Sequence, residues 1–120
     1  MTMMTTVLRV AAPRLLTVKN HKALLHHVLD CVDDGARDVV VDLSNTTYMD
    51  SSGLSALIGL HRVLSSDLRG RLRVTGVNPD LRLLLQATRL DRTIEVVDTV
   101  AEPLTTADPW NAPDDWTVPE

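Results

Sequence analysis

At 120 residues and 13.2 kDa the chain holds one domain, and its 44% apolar content is enough for a core. With no Phe, one Tyr and two Trp that core must be aliphatic, and the single Cys31 excludes a disulfide framework and a multi-cysteine zinc site. The net charge of −4 is uneven: residues 1–101 hold 12 basic and 11 acidic residues, while the remainder holds five acidic and no basic ones, so the clustered basic surface that nucleic acid needs is not indicated.

Met1 to Thr6 carries no basic run and no long apolar stretch follows it, so neither a signal peptide nor a membrane span is expected. Together with the solitary cysteine this points to a cytoplasmic protein.

Val7–Ala11 reads as a strand that Pro13 ends. From about Thr17 to Asp33, Leu24, Leu25, Val28, Leu29 and Val32 recur at helical spacing, and Gly35 is a C-terminal stop. Val39, Val40 and Val41, within 38–43, predict a strand buried on both faces, as in a parallel sheet. A second helix is expected from about Ser52 to Ser66, with Leu54, Leu57, Ile58, His61 and Leu64 on one face.

Leu72–Thr75 is the next strand. Asn78-Pro79-Asp80 then starts a helix: Asn caps, Pro takes the first helical position, and Asp suits the positive end of the dipole. Arg82 and Arg89, seven apart, are expected to share a solvated face of it. Ile94–Val97 is a last strand, and Thr99–Glu102 fits a capping box for a short final helix. Beyond residue 104 the chain is acidic and rich in Pro and Trp, and reads as a flexible tail over 105–120. Alternation of this kind means an α/β domain with a mostly parallel central sheet of four to five strands.

The informative segment is Tyr48-Met49-Asp50-Ser51-Ser52-Gly53-Leu54, between a buried strand and an amphipathic helix. Asp and Ser are favoured N-caps and Gly permits a tight turn, so a capped helix explains the residues by itself. A nucleophilic serine is disfavoured. Met49 stands where a hydrolase elbow needs Gly, and His61 is about 15 Å away at helical rise. A phosphate-cradling Gly-Lys-Ser/Thr loop is missing too. The remaining reading is a regulated serine: an exposed hydroxyl at a helix start can accept a phosphate, adding about −1.5 to −2 charges.

Val39-Val40-Val41-Asp42-Leu43 followed by Tyr48-Met49-Asp50-Ser51-Ser52-Gly53-Leu54 resembles the signature of the STAS-domain anti-sigma factor antagonists. The stretch Val77–Asp91 is similar to the family's helix before the last strand, with Arg89 where Gly is usual. The resemblance covers about residues 7–104, within an expected STAS domain over 1–104. It implies a STAS fold with a short or missing first strand and one antiparallel pair near the sheet edge. It also implies a non-enzymatic, cofactor-free protein that binds an anti-sigma factor acting as a serine kinase. Phosphorylation of Ser51 would release that partner, and a serine phosphatase would reset the pair. Asp50, Ser52, Gly53 and Leu54 would form the partner-binding surface. The family often carries Gly-Glu-Leu-Asp after its second strand, where this chain has Pro13-Arg14-Leu15-Leu16.

That departure motivates an alternative, a STAS subunit of a larger assembly such as a lipid-transport ATPase complex, with the serine turn as a contact and no phosphoswitch. A nucleotide-binding module is a third reading, which no glycine-rich loop supports. Cys31, beside Asp30, Asp33 and Asp34, reads as a half-buried apolar side chain of raised pKa. His26 and His27 diverge on a helix and make no ligand pair, so no metal is expected.

Overall fold

The apolar periodicity places Leu8, Val10, Val39, Val41, Leu72 and Val74 on one face of a parallel sheet, and the three α-helices of the described residues pack their apolar stripes on that face. In the computed structural model, which describes residues 7–67, 70–98, 100 and 104–107, the strands are β1 (Val7–Ala11), β2 (Leu15–Leu16), β3 (Asp38–Asp42), β4 (Tyr48–Met49), β5 (Arg71–Thr75), β6 (Glu95–Val97) and β7 (Leu104–Ala107). The helices are α1 (His21–Asp33), α2 (Ser51–Arg62) and α3 (Pro79–Ala87). Strands run in the order β6-β5-β3-β1-β7, and β2 and β4 form a separate two-stranded ladder.

Pairing Leu8 with Val39, Val10 with Val41 and Val41 with Val74 stacks the branched side chains in rows. They join Leu24, Val28 and Val32 of α1, Leu57 and Leu60 of α2 and Leu81 and Leu85 of α3 in one aliphatic core. Val39, Val40 and Val41 are fully buried, as the run of β-branched residues requires. The opposite sheet face is charged. Arg9 pairs with Asp42, and Arg73 donates to Asp38 at 3.2 Å. Asp42 and Arg73 are buried there beside Val40.

Several expectations are corrected. All ladders among the described residues are parallel, so the implied antiparallel edge pair is not found. The physical reason is that β1 has both edges occupied, by β3 and β7. A strand preceding β1 would fall on residues 1–6, outside the described residues. α1 starts at His21 rather than Thr17, because Asn20 Oδ1 accepts from the Thr17 N–H at 3.0 Å and closes a turn first. Regular α2 ends at Arg62 and continues as a π-turn, Val63–Asp67, that keeps Leu64 fully buried. Its buried stripe is Gly53, Ala56, Leu57 and Leu60, with Leu54 and Ile58 only partly covered.

Arg89 is not on α3 with Arg82: it lies past the helix end with φ +62°. A strand at Leu104–Ala107 crosses the expected boundary at residue 104 and pairs with β1. The expected helix at 99–102 falls on residues of which only Val100 is described, and 108–120 lie outside the described residues. No helix among the described residues is long and apolar enough to cross a membrane.

Candidate functional site

Ser51 is the first residue of α2 and is exposed. The turn that holds it is built by Asp50, whose extended backbone and short acceptor side chain make it the N-cap. Asp50 Oδ1 accepts from the Ser52 N–H at 2.8 Å and from the Gly53 N–H at 3.1 Å. Two of the helix's unpaired donors are thereby satisfied, and a carboxylate sits where the dipole favours it. The other oxygen, Oδ2, accepts from the Val18 N–H at 3.2 Å.

The chain entering this turn is fixed by the two-residue ladder. Leu15 pairs with Tyr48 and Leu16 with Met49. Strand alternation sends Leu16 and Met49 inward and leaves Leu15 and Tyr48 exposed. The Asp50 N–H donates to the Leu16 carbonyl at 3.2 Å, and the Thr47 N–H to the Arg14 carbonyl at 2.8 Å. Buried Thr46 anchors the preceding loop, donating to the Pro13 carbonyl at 2.8 Å; Asn78, the cap of α3, donates to the Thr46 carbonyl at 3.1 Å.

Gly53 is required by packing. A Cβ there would meet Met49 Cγ at 2.6 Å and the Leu16 carbonyl oxygen at 2.7 Å, closer than side chains tolerate. Ser52 is half-buried. Leu54 is partly buried against the aliphatic core, so it supports the helix as much as it faces outward. Asp50, Ser51, Ser52, Gly53 and Leu54 thus come together as one rigid turn, and within it the Ser51 hydroxyl is the exposed one. It has no hydrogen-bond partner among the described residues. Sequence reasoning missed Leu15 and Val18 beside this turn. Their only signal is the exposed apolar pair itself, and the pairing of β2 with β4 spans 33 residues.

The geometry does not suit covalent catalysis. Ser51 and His61 lie at opposite ends of α2, and no histidine bonds to the Ser51 hydroxyl among the described residues. Among those residues no group of three or more His, Cys, Asp and Glu could hold a metal ion. Burial holds the His27 pKa below its usual value, partly offset by Asp30. Burial, then Asp34 and Asp30, pushes the Cys31 thiol up, away from reactivity at neutral pH.

The STAS domain profile matches residues 3–103. The anti-sigma F factor antagonist of Paenibacillus polymyxa is 29% identical over 100 residues, covering 76% of this chain and 85% of that protein. The anti-sigma-B factor antagonist of Staphylococcus aureus is 37% identical over 57 residues, 48% of this chain and 52% of its own length. Among solved structures, an anti-sigma factor antagonist candidate from Thermotoga maritima superposes with a TM-score of 0.70 at 23% identity, covering 77% of this chain and 80% of that one. The anti-sigma factor antagonist SpoIIAA in its unphosphorylated form gives 0.59 at 18% identity, over 83% and 86%. At these identities the structural likenesses establish the fold.

Proposed function

This chain belongs to the STAS domain family, and from that premise we propose that it is an anti-sigma factor antagonist whose hold on an anti-sigma factor kinase is ended by phosphorylation of Ser51. The names of its relatives support the general role, that of a regulatory binding protein without catalytic activity of its own. The observation that carries the finer reading is the exposed Ser51 hydroxyl on a turn whose Asp50 carboxylate and following N–H groups, those of Ser52 and Gly53, are already engaged with each other.

The chemistry follows from the cap. The N–H groups of Ser52 and Gly53 are already taken by Asp50, so a phosphate on Ser51 cannot claim them. It is also repelled by the Asp50 carboxylate, and therefore projects away from the helix. The helix keeps its cap, so modification changes the surface and not the fold. A partner seated on that surface meets a new charge of about −1.5 to −2 and must desolvate it or leave. A serine phosphatase restores the original surface.

The test is an intact mass with peptide mapping on protein from its own source cells, before and after phosphatase, beside binding measurements. A phosphate at Ser51 is expected under some growth or stress condition. Against the anti-sigma factor kinases encoded in the same genome, Ser51→Ala is expected to bind like the parent and Ser51→Asp at least tenfold more weakly. Equal affinity of the two variants, with Ser51 unmodified under every condition, would overturn the phosphoswitch.

A further inference from the structure

We propose that Leu15, Val18 and Tyr48, rimmed by Arg14, Lys19 and Lys22, form a docking surface for a partner face that is apolar at its centre and acidic at its edge. The inference rests on the preceding functional reading and specifies which chemistry the anti-sigma factor must present.

Single exposed apolar residues are ordinary, but these three converge. Among the described residues the exposed large hydrophobic ones are Leu15, Val18, Tyr48 and Leu83, at 42, 66, 55 and 65% accessibility, and three of these four surround one turn. Leu15 and Tyr48 are direct partners on neighbouring parallel strands, which lie about 4.8 Å apart. Val18 is tied by its N–H to the cap of the Ser51 helix. The patch is therefore built on fixed backbone and costs little ordering on binding.

Charge selects the occupant. From Ala12 to Leu29 the chain carries Arg14, Lys19 and Lys22 and no Asp or Glu. All three are exposed, and none has an ion-pair partner among the described residues. From Leu43 to Leu64 the one carboxylate is Asp50, and both its oxygens already accept hydrogen bonds. A protein of net charge −4 thus turns a basic rim toward the Ser51 turn. A second copy docked face to face would oppose like charges across a two-fold axis, whereas an acidic rim is drawn in from a distance. Phosphate on Ser51 then cancels much of that rim and repels the partner's carboxylates, so attraction and release act through the same surface.

The test is association kinetics of the full chain with the anti-sigma factor kinases of its own genome, at about 50 and 300 mM salt. The on-rate is expected to fall at least tenfold between the two salts. The pair Lys19→Glu and Lys22→Glu should lower it by a similar factor at low salt. Val18→Ser with Tyr48→Ser should raise the off-rate at least tenfold with the fold intact by circular dichroism. Arg92→Glu is the control, an exposed charge before β6 at the opposite end of the parallel strands. Binding that is insensitive to salt and to Lys19 and Lys22 would overturn the surface while leaving the functional reading in place. Tighter binding by the Lys variants would assign the patch to another occupant, the acidic 108–120 segment or a second copy, and overturn it too. No binding to any of those kinases would refute the functional reading and this inference with it.

Discussion

Asp50 Oδ2 accepts the backbone N–H of Val18 at 3.2 Å while Oδ1 caps α2. One carboxylate therefore fixes two segments that are 32 residues apart, the connection between β2 and α1 and the start of the serine helix. The exposed apolar side chains and the exposed hydroxyl keep a constant relation because they share this anchor.

Replacing Asp50 separates the two roles. Loss of an N-cap costs about 1 kcal/mol, up to about 2, and the Val18 bond adds about 1 at most, since that N–H is accessible to water. Asp50→Ala should lower stability by about 1–2 kcal/mol in urea titration. Asp50→Asn keeps an oxygen for Ser52 and Gly53 but turns an NH₂ group toward the Val18 N–H. It should lose less stability than the Ala variant, yet show faster amide exchange at Val18.

Arg89 is the one residue other than glycine with a left-handed backbone among the described residues, at φ +62°, just after the Thr88 C-cap of α3. That conformation costs an L residue about 1–2 kcal/mol, and it explains why glycine is usual at this place in the family's pattern. Arg89→Gly removes the strain but adds freedom to the unfolded chain, about 0.5–1 kcal/mol. The net expectation is a gain of about 0.5–1 kcal/mol, whereas Arg89→Ala, still strained, gains nothing. Thermal melts of the three proteins decide it, and no gain from Arg89→Gly would mean that the Arg89 side chain supplies a compensating contact.

What was legible in the sequence is what is locally encoded. Asn78-Pro79-Asp80 specifies its helix start because cap, fixed φ and dipole all act within one turn, and the Asn78 side chain does accept the Leu81 N–H at 2.8 Å. Val39-Val40-Val41 announces a central strand by its branching alone. The Asp50-Ser51-Ser52-Gly53 turn is readable for the same local reason. The β2–β4 ladder was not, because two residues carry no period and their partners lie 33 positions away. The delayed start of α1 depends on whether Asn20 caps the helix or closes the turn before it, a competition that spacing does not resolve. Arg89 lies at helical spacing from Arg82, and only the chain reversal after Thr88 removes it from that face.

His27 links the packing of α1 to pH. Burial holds its pKa below the usual 6.5, with Asp30 pulling the other way. The folded state therefore binds this proton less readily than the unfolded chain. Above the unfolded value both states are neutral at this ring and it contributes nothing to pH dependence. As pH falls through 6.5 toward the lower folded value, the unfolded chain gains its proton first and stability declines. Below the folded value the loss levels off. Urea midpoints between pH 7.5 and 5 should fall for the parent, and His27→Gln should flatten part of that slope. An identical slope in the parent and His27→Gln would mean that α1 opens locally to protonate His27 without global unfolding.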